Sequence, residues 1–117
     1  MLAGKGSLQG KRTKEEKIMV RVTALYGYPQ NPDAFEEHYA NTHTPLVLKI
    51  PNLQRFDRGK VIATPDGSEP PYYRVADIWF ESMDQMQSGL GSTEGQEATQ
   101  DLQNFATGGV TLLICEG

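Results

Sequence analysis

Short apolar, β-rich runs punctuated by glycine and proline alternate along this chain with stretches whose apolar residues recur three and four apart. Residues 19–26 (MVRVTALY), closed by Gly27 and Pro29, predict a first strand. Asn31-Pro32 supplies an N-cap with proline at the first helical position, and Phe35, Tyr39 and either Thr42 or His43 form one stripe of the helix that follows. Thr44-Pro45 repeats the cap-plus-proline signal, and Pro45 biases Thr44 out of the helical region. The helix is therefore expected to break or kink just after His43, with a second short helix over 46–50. Residues 53–63 predict a strand, Pro65-Asp66-Gly67 a turn, and residues 72–82 (YYRVADIWFES) another strand. Ser82 and Gln85 have capping-box spacing and open a helix bearing Met83, Met86 and Leu90, ended by Gly89 and Gly91. Ser92 or Thr93 caps a further helix carrying Ala98, Leu102 and Phe105; Gly108-Gly109 stops it, and residues 110–115 form the last strand.

Strand, helix, strand, strand, helix, strand, joined by right-handed crossovers in one sheet, is an α+β, ferredoxin-like βαββαβ arrangement with both helical segments on one face. Alternation adds a constraint. Val20, Val22 and Ala24 oppose Met19, Thr23 and Leu25; Ala76, Ile78 and Phe80 oppose Val75 and Trp79; Val110, Leu112 and Ile114 oppose Leu113 and Cys115. Both faces read as apolar, whereas helices cover one, and an antiparallel sheet with a solvated face alternates apolar with polar. In a chain this short the economical cover for the second face is a second copy of the same sheet, which predicts a homodimer.

Length and charge narrow the functional classes. The chain has 117 residues, enough for one domain. Residues 1–18 carry a balance of +3 and the remainder −7, together the net −4. An acidic body argues against nucleic acid as a partner, and no apolar run is long enough to span a membrane. The Gly/Ser/Lys-rich segment 1–18 lacks the apolar core of a secretory signal and reads as a disordered extension or tag preceding a domain over 19–117, which is expected to be cytoplasmic. Cys115 is the only cysteine, which excludes an internal disulfide and a cysteine-based zinc site; in its apolar run it reads as a small buried side chain.

Among polar residues, His43 is the leading candidate for chemistry. It stands at the expected helix break, where a side chain can enter a cleft between helices and sheet, and its ordinary pKa near 6.5 suits proton transfer. A plain alternative is a histidine bonding a loose helix-end carbonyl. Tyr39, one turn earlier, is placed to orient His43 or bind a substrate oxygen, or else belongs to the Phe35 core stripe. Asp77 is the carboxylate of an otherwise apolar strand; it either positions His43 across the pocket, pairs with Arg74 or Arg21, or faces the dimer layer. Trp79, Tyr73 and Phe80 are candidates for an aromatic ligand wall, against ordinary core packing. Asn104 is either a pocket residue or a partner for last-turn carbonyls. His38 follows Glu36-Glu37 and reads as exposed. It lies five residues from His43, about 140° away on a continuous helix, so the two do not make a metal pair. No phosphate-binding glycine loop or nucleophile elbow is present.

YxxxHTPL at 39–46, PPYYRVADIWF at 70–80 and STEGQEATQDLQNFATGGVTLLI at 92–114 resemble the EthD family of the dimeric α+β barrel superfamily, a likeness that covers residues 19–114. The family is named for a protein encoded with an ether-oxidising system that degrades ethyl tert-butyl ether. The resemblance implies a dimeric barrel and raises the weight on His43. With relatives that include lactone isomerases, polyketide cyclases and cofactor-free monooxygenases, it implies a cofactor-independent isomerase, cyclase, lyase or oxidoreductase step on a small hydrophobic or aromatic compound. A non-catalytic accessory protein of an oxidative degradation system is the alternative, since one fold hosts many chemistries.

Overall fold

The computed structural model describes residues 18–117, so the expected extension over 1–18 lies, except for Ile18, outside the described residues. Four strands, β1 (Val20–Tyr26), β2 (Arg55–Lys60), β3 (Arg74–Phe80) and β4 (Val110–Glu116), form one sheet in the order β2-β3-β1-β4. All neighbouring pairs are antiparallel, with Val22 opposite both Ile78 and Ile114. The helices are α1 (Pro32–His38), α2 (Thr44–Leu48), α3 (Met83–Gly91) and α4 (Thr93–Phe105). This is the ferredoxin-like α+β fold.

Local chemistry explains most boundaries. Asn31 caps α1 by accepting from Ala34 N–H at 3.1 Å. Ser82 and Ser92 do the same for α3 and α4, accepting from Gln85 and Gly95 N–H. In the loop between β2 and β3, Gly67 takes the left-handed conformation (φ 81°) and its N–H bonds Thr64 O, as its turn requires. Strands β2 and β3 are shorter than the expected spans 53–63 and 72–82, though Gln54 N–H to Trp79 O and Val61 N–H to Tyr73 O extend the pairing.

The junction of α1 and α2 differs from expectation. Thr44 remains helical (φ −56°, ψ −47°) and does not act as a cap; its buried hydroxyl has no hydrogen-bond partner among the described residues. Tyr39–His43 instead forms a π-helical turn, and Thr44 N–H reaches back five residues to Tyr39 O. Pro45 offers no N–H and its ring crowds the carbonyl four residues back, so the wider turn lets the chain stay helical where an α-turn would clash.

All helices cover one sheet face. Val20, Val22 and Phe80 pack with Val47, Ile50, Met86 and Ala98, while Ala24, Tyr26, Tyr73 and Ala76 pack with Phe35, Tyr39 and Phe105. On the helix side of β4, Val110 packs against the core but Leu112 and Ile114 are exposed. The second face is not uniformly apolar. Leu25, Val75, Trp79 and Leu113 share it with an ionic row in which Thr23 donates to Asp77 at 2.5 Å and Arg21 Nε lies 3.2 Å from the same carboxylate. Cys115, also on this face, is half-buried rather than enclosed, 3.8 Å from Thr23 Oγ1. Among the described residues no helix is long and apolar enough to cross a membrane.

Candidate active site

The register of β3 settles which way its side chains face. Ala76 and Phe80 are buried under the helices, which puts Asp77 and Trp79 on the opposite face. Asp77 therefore cannot orient His43 and pairs with Thr23 and Arg21 instead. Trp79 lies between the guanidinium groups of Arg21 (5.1 Å) and Arg55 (4.6 Å) and donates to Asp57 at 3.1 Å. Phe80 is fully buried core, and Tyr73 packs against Phe35 with its hydroxyl donating to Glu36 at 2.6 Å. None of these three aromatic residues forms a ligand wall with His43, because two belong to the core and one to the far face.

The carboxylate that does meet His43 is Asp101 of α4. Asp101 falls three residues after Ala98 and four before Phe105, so it lies on the buried stripe of its helix. His43 Nδ1–H donates to Asp101 Oδ2 at 2.9 Å, both side chains being 6% exposed. His38 Nε2–H donates to the same carboxylate, 2.9 Å from Oδ1 and 3.0 Å from Oδ2, and its side chain is 28% exposed. Asn104 Nδ2–H completes the set, donating to Oδ1 at 3.0 Å. Thus His38 is not a free surface residue, and Asn104 serves Asp101 rather than a helix-end carbonyl; Ala106 N–H bonds Leu102 O at that end.

The π turn is the reason both imidazoles reach one carboxylate. Five residues on an α-helix diverge by about 140°, whereas a turn closed by i→i+5 bonding returns the fifth residue toward the first. His38 and His43 both pack on Phe105, with ring centroids 5.1 and 4.7 Å away.

Electrostatics follow from this packing. Burial pushes the His43 imidazole below its ordinary pKa, and the hydrogen bond and charge of Asp101 only partly offset that. Burial pushes the Asp101 carboxyl up, but the bonds from Asn104, His38 and His43 outweigh it and hold the group below the usual value. An ionised Asp101 thus faces a neutral His43 near pH 7. In that tautomer the lone pair sits on His43 Nε2, which has no hydrogen-bond partner among the described residues.

A cleft of about 220 Å³ opens between the start of α1 and the end of α4, lined by Asn31, Phe35, His38, Asn104, Phe105 and Thr107, among others. His38 and Asn104 border it; His43 is not among its lining residues. Tyr39 is stacked on Phe35 and tilted 5.7 Å from the His43 ring, and its buried hydroxyl lacks a partner among the described residues. Burial pushes its pKa up to about 12, so it remains a neutral phenol. Among the described residues, no group of three or more His, Cys, Asp or Glu side chains is arranged to hold a metal ion.

Comparison with known proteins agrees with this architecture. The family model for the EthD domain matches residues 28–109. A Rhodococcus erythropolis protein, described as an uncharacterized 11.0 kDa protein in the thcB-thcC intergenic region, is 45% identical over 98 residues, spanning 84% of this chain and 94% of that one. The crystal structure of an ethyl tert-butyl ether d (ethd) family protein from Bacillus halodurans superposes with a TM-score of 0.80 at 34% identity, over 85% of this chain and 98% of that one. Two others share the fold alone. A dimeric ferredoxin-like protein of unknown function from Thermobifida fusca has a TM-score of 0.65 at 15% identity, covering 86% and 92% of the two chains. The cofactor-independent oxygenase SnoaB of Streptomyces nogalater has a TM-score of 0.57 at 14% identity, with 86% and 92% covered.

Proposed function

Because the chain belongs to the EthD family, we propose that it is a cofactor-independent enzyme that moves a proton on a small hydrophobic or aromatic compound. The observation that carries this reading is the pair of imidazoles held by one buried carboxylate beside a cleft. Asp101 fixes the tautomer of both rings, so that His38, the one at the cleft, presents its remaining nitrogen for proton exchange. His38 is the imidazole that borders the cleft and exchanges the proton there, with Asn104 beside it; His43, kept neutral by burial, holds Asp101 in place from behind. Phe35 and Phe105 give the cleft its apolar walls, and Tyr39 positions the His43 ring. Isomerisation, cyclisation or dehydration of a lactone, carbonyl or phenolic compound suits such a site. So does an oxygenation in which an electron-rich substrate, once deprotonated, reacts with oxygen itself.

A panel of small lactones, phenols and cyclic ketones, assayed for turnover and for binding, tests the reading. His38→Gln, His43→Gln and Asp101→Asn are expected to abolish turnover while binding is largely kept; full turnover in all three overturns it. The second reading, a non-catalytic binding or accessory protein, is favoured by the absence of His43 from the cleft lining. Binding with no turnover by the unaltered protein decides for it.

The working unit in this proposal is a homodimer joined through the second sheet face. Support comes from the apolar residues Leu25, Val75, Trp79 and Leu113 on that face, and from the description of a structural neighbour as dimeric.

A further inference from the structure

On the flank of α1 opposite the cleft, the helix-facing ends of β2 and β3 gather three cations. Arg58 lies opposite Ala76, and Lys60 opposite Arg74, on the face that the helices cover. Glu36 of α1 reaches across to this group, taking hydrogen bonds from Tyr73 Oη at 2.6 Å and Arg74 Nη2 at 2.5 Å. The Arg74 guanidinium stands 4.7 Å from the centroid of the Tyr39 ring, and Lys60 Nζ lies 5.5 Å from that of Tyr73. Two polar groups here are buried without a hydrogen-bond partner among the described residues: the Tyr39 hydroxyl, on a residue 3% exposed, and Arg74 Nε–H, on a side chain 12% exposed. An unpaired buried donor costs free energy, which makes such a pair in one place informative.

Arg74 Nε–H can only donate and the Tyr39 hydroxyl can donate as well, so one accepting group satisfies both. Arg58 and Lys60 are exposed at the rim and add positive charge where Glu36 and Asp33 are the facing carboxylates, in a chain whose net charge is −4. We propose that this cluster binds a small organic oxyanion, a carboxylate or phenolate, whose oxygen accepts from the Tyr39 hydroxyl and Arg74 Nε–H while Arg58 and Lys60 supply the attracting charge. Arginine suits this role, since its planar donor set matches an oxyanion. The site does not depend on the acid–base reading of Asp101, because it needs no turnover.

Calorimetry on the full chain with benzoate, 4-nitrophenolate and the neutral isostere benzamide tests it. Benzoate or 4-nitrophenolate is expected to bind at least about tenfold more tightly than benzamide, with affinity falling as salt rises. The double variant R58A/K60A is expected to lose about tenfold in affinity with an unchanged thermal midpoint. Tyr39→Phe removes only the orphaned hydroxyl, so it should weaken oxyanion binding while leaving stability equal or higher. Benzamide binding as tightly as either anion, or anion binding unmoved by both R58A/K60A and Tyr39→Phe, overturns the proposal. Anion affinity is read by calorimetry without turnover, so the R58A/K60A result stands or falls independently of whether His38→Gln abolishes catalysis.

Discussion

Two carboxylates in this chain illustrate how environment assigns roles to identical side chains. Asp101 is buried and accepts from His38, His43 and Asn104, while Asp77 is part-exposed and pairs with Thr23 and Arg21. Removing Asp101 leaves the buried His43 Nδ1–H without an acceptor, so Asp101→Ala is expected to cost about 1–3 kcal/mol. Asp77→Ala, where water screens the pair, should cost less than about 1 kcal/mol in an isolated protomer; urea denaturation of both variants checks the contrast. The pH dependence follows from the same residues. His43 has a folded pKa below the ordinary 6.5, so folding favours its neutral form. Its contribution is fully present above pH 6.5 and is lost as pH falls through the lowered value. Asp101, also lowered, contributes above its ordinary 3.8 and loses that contribution on further acidification. Stability is therefore expected to fall from pH 6.5 downward, and His43→Gln should flatten the upper part of that curve. A profile in His43→Gln that matches the unaltered protein from pH 6.5 to 5 would count against a neutral His43.

At the scale of elements, the site depends on one close approach and one widened turn. The π turn brings His38 and His43 onto one carboxylate. The chain leaving β1 meets the chain entering β4 so closely that a Cβ on Gly108 would stand 2.1 Å from Tyr28 O. The same crossing brings Gln30 N–H to Thr107 Oγ1 at 2.9 Å, which shapes one end of the cleft. Gly108→Ala is therefore expected to destabilise the fold and disturb cleft binding, since backbone on both sides must move. Gly91→Ala, in α3 with open space around its Cβ, should stabilise by about 0.5–1 kcal/mol. Thermal midpoints of the two variants, moving in opposite directions, provide the check.

For the whole molecule, the sheet has helices on one side and a mixed face on the other. The ionic row of Arg21, Thr23 and Asp77 makes that second face more polar than strand alternation suggested, yet Trp79 and Leu113 remain on it beside Leu25 and Val75. Such a surface suits a partner that is apolar at its centre and charged along a row, as a second copy would be. Light scattering at micromolar concentration is expected to give twice the 13.0 kDa chain mass, and Leu113→Asp to give the monomer. A monomeric mass for the unaltered protein would remove the dimer from the proposed function.

The element order, the caps at Asn31 and Ser82, a cap at Ser92 or Thr93, and the ferredoxin-like fold were legible in the chain, because periodicity, capping and turn chemistry act over a few neighbouring residues. Asp101 had one visible signal, an acidic residue on the apolar stripe of Ala98 and Phe105, but nothing local says which side chains will meet it from another helix. His38 was misread because an angle of 100° per residue holds only for a regular α-helix, and Pro45 made this one irregular. Asp77 and Trp79 were placed by strand register, which long-range pairing decides and a one-residue shift reverses. The local sequence determined the elements; tertiary packing determined which carboxylate the histidines share, since that contact joins residues 58 and 63 positions apart.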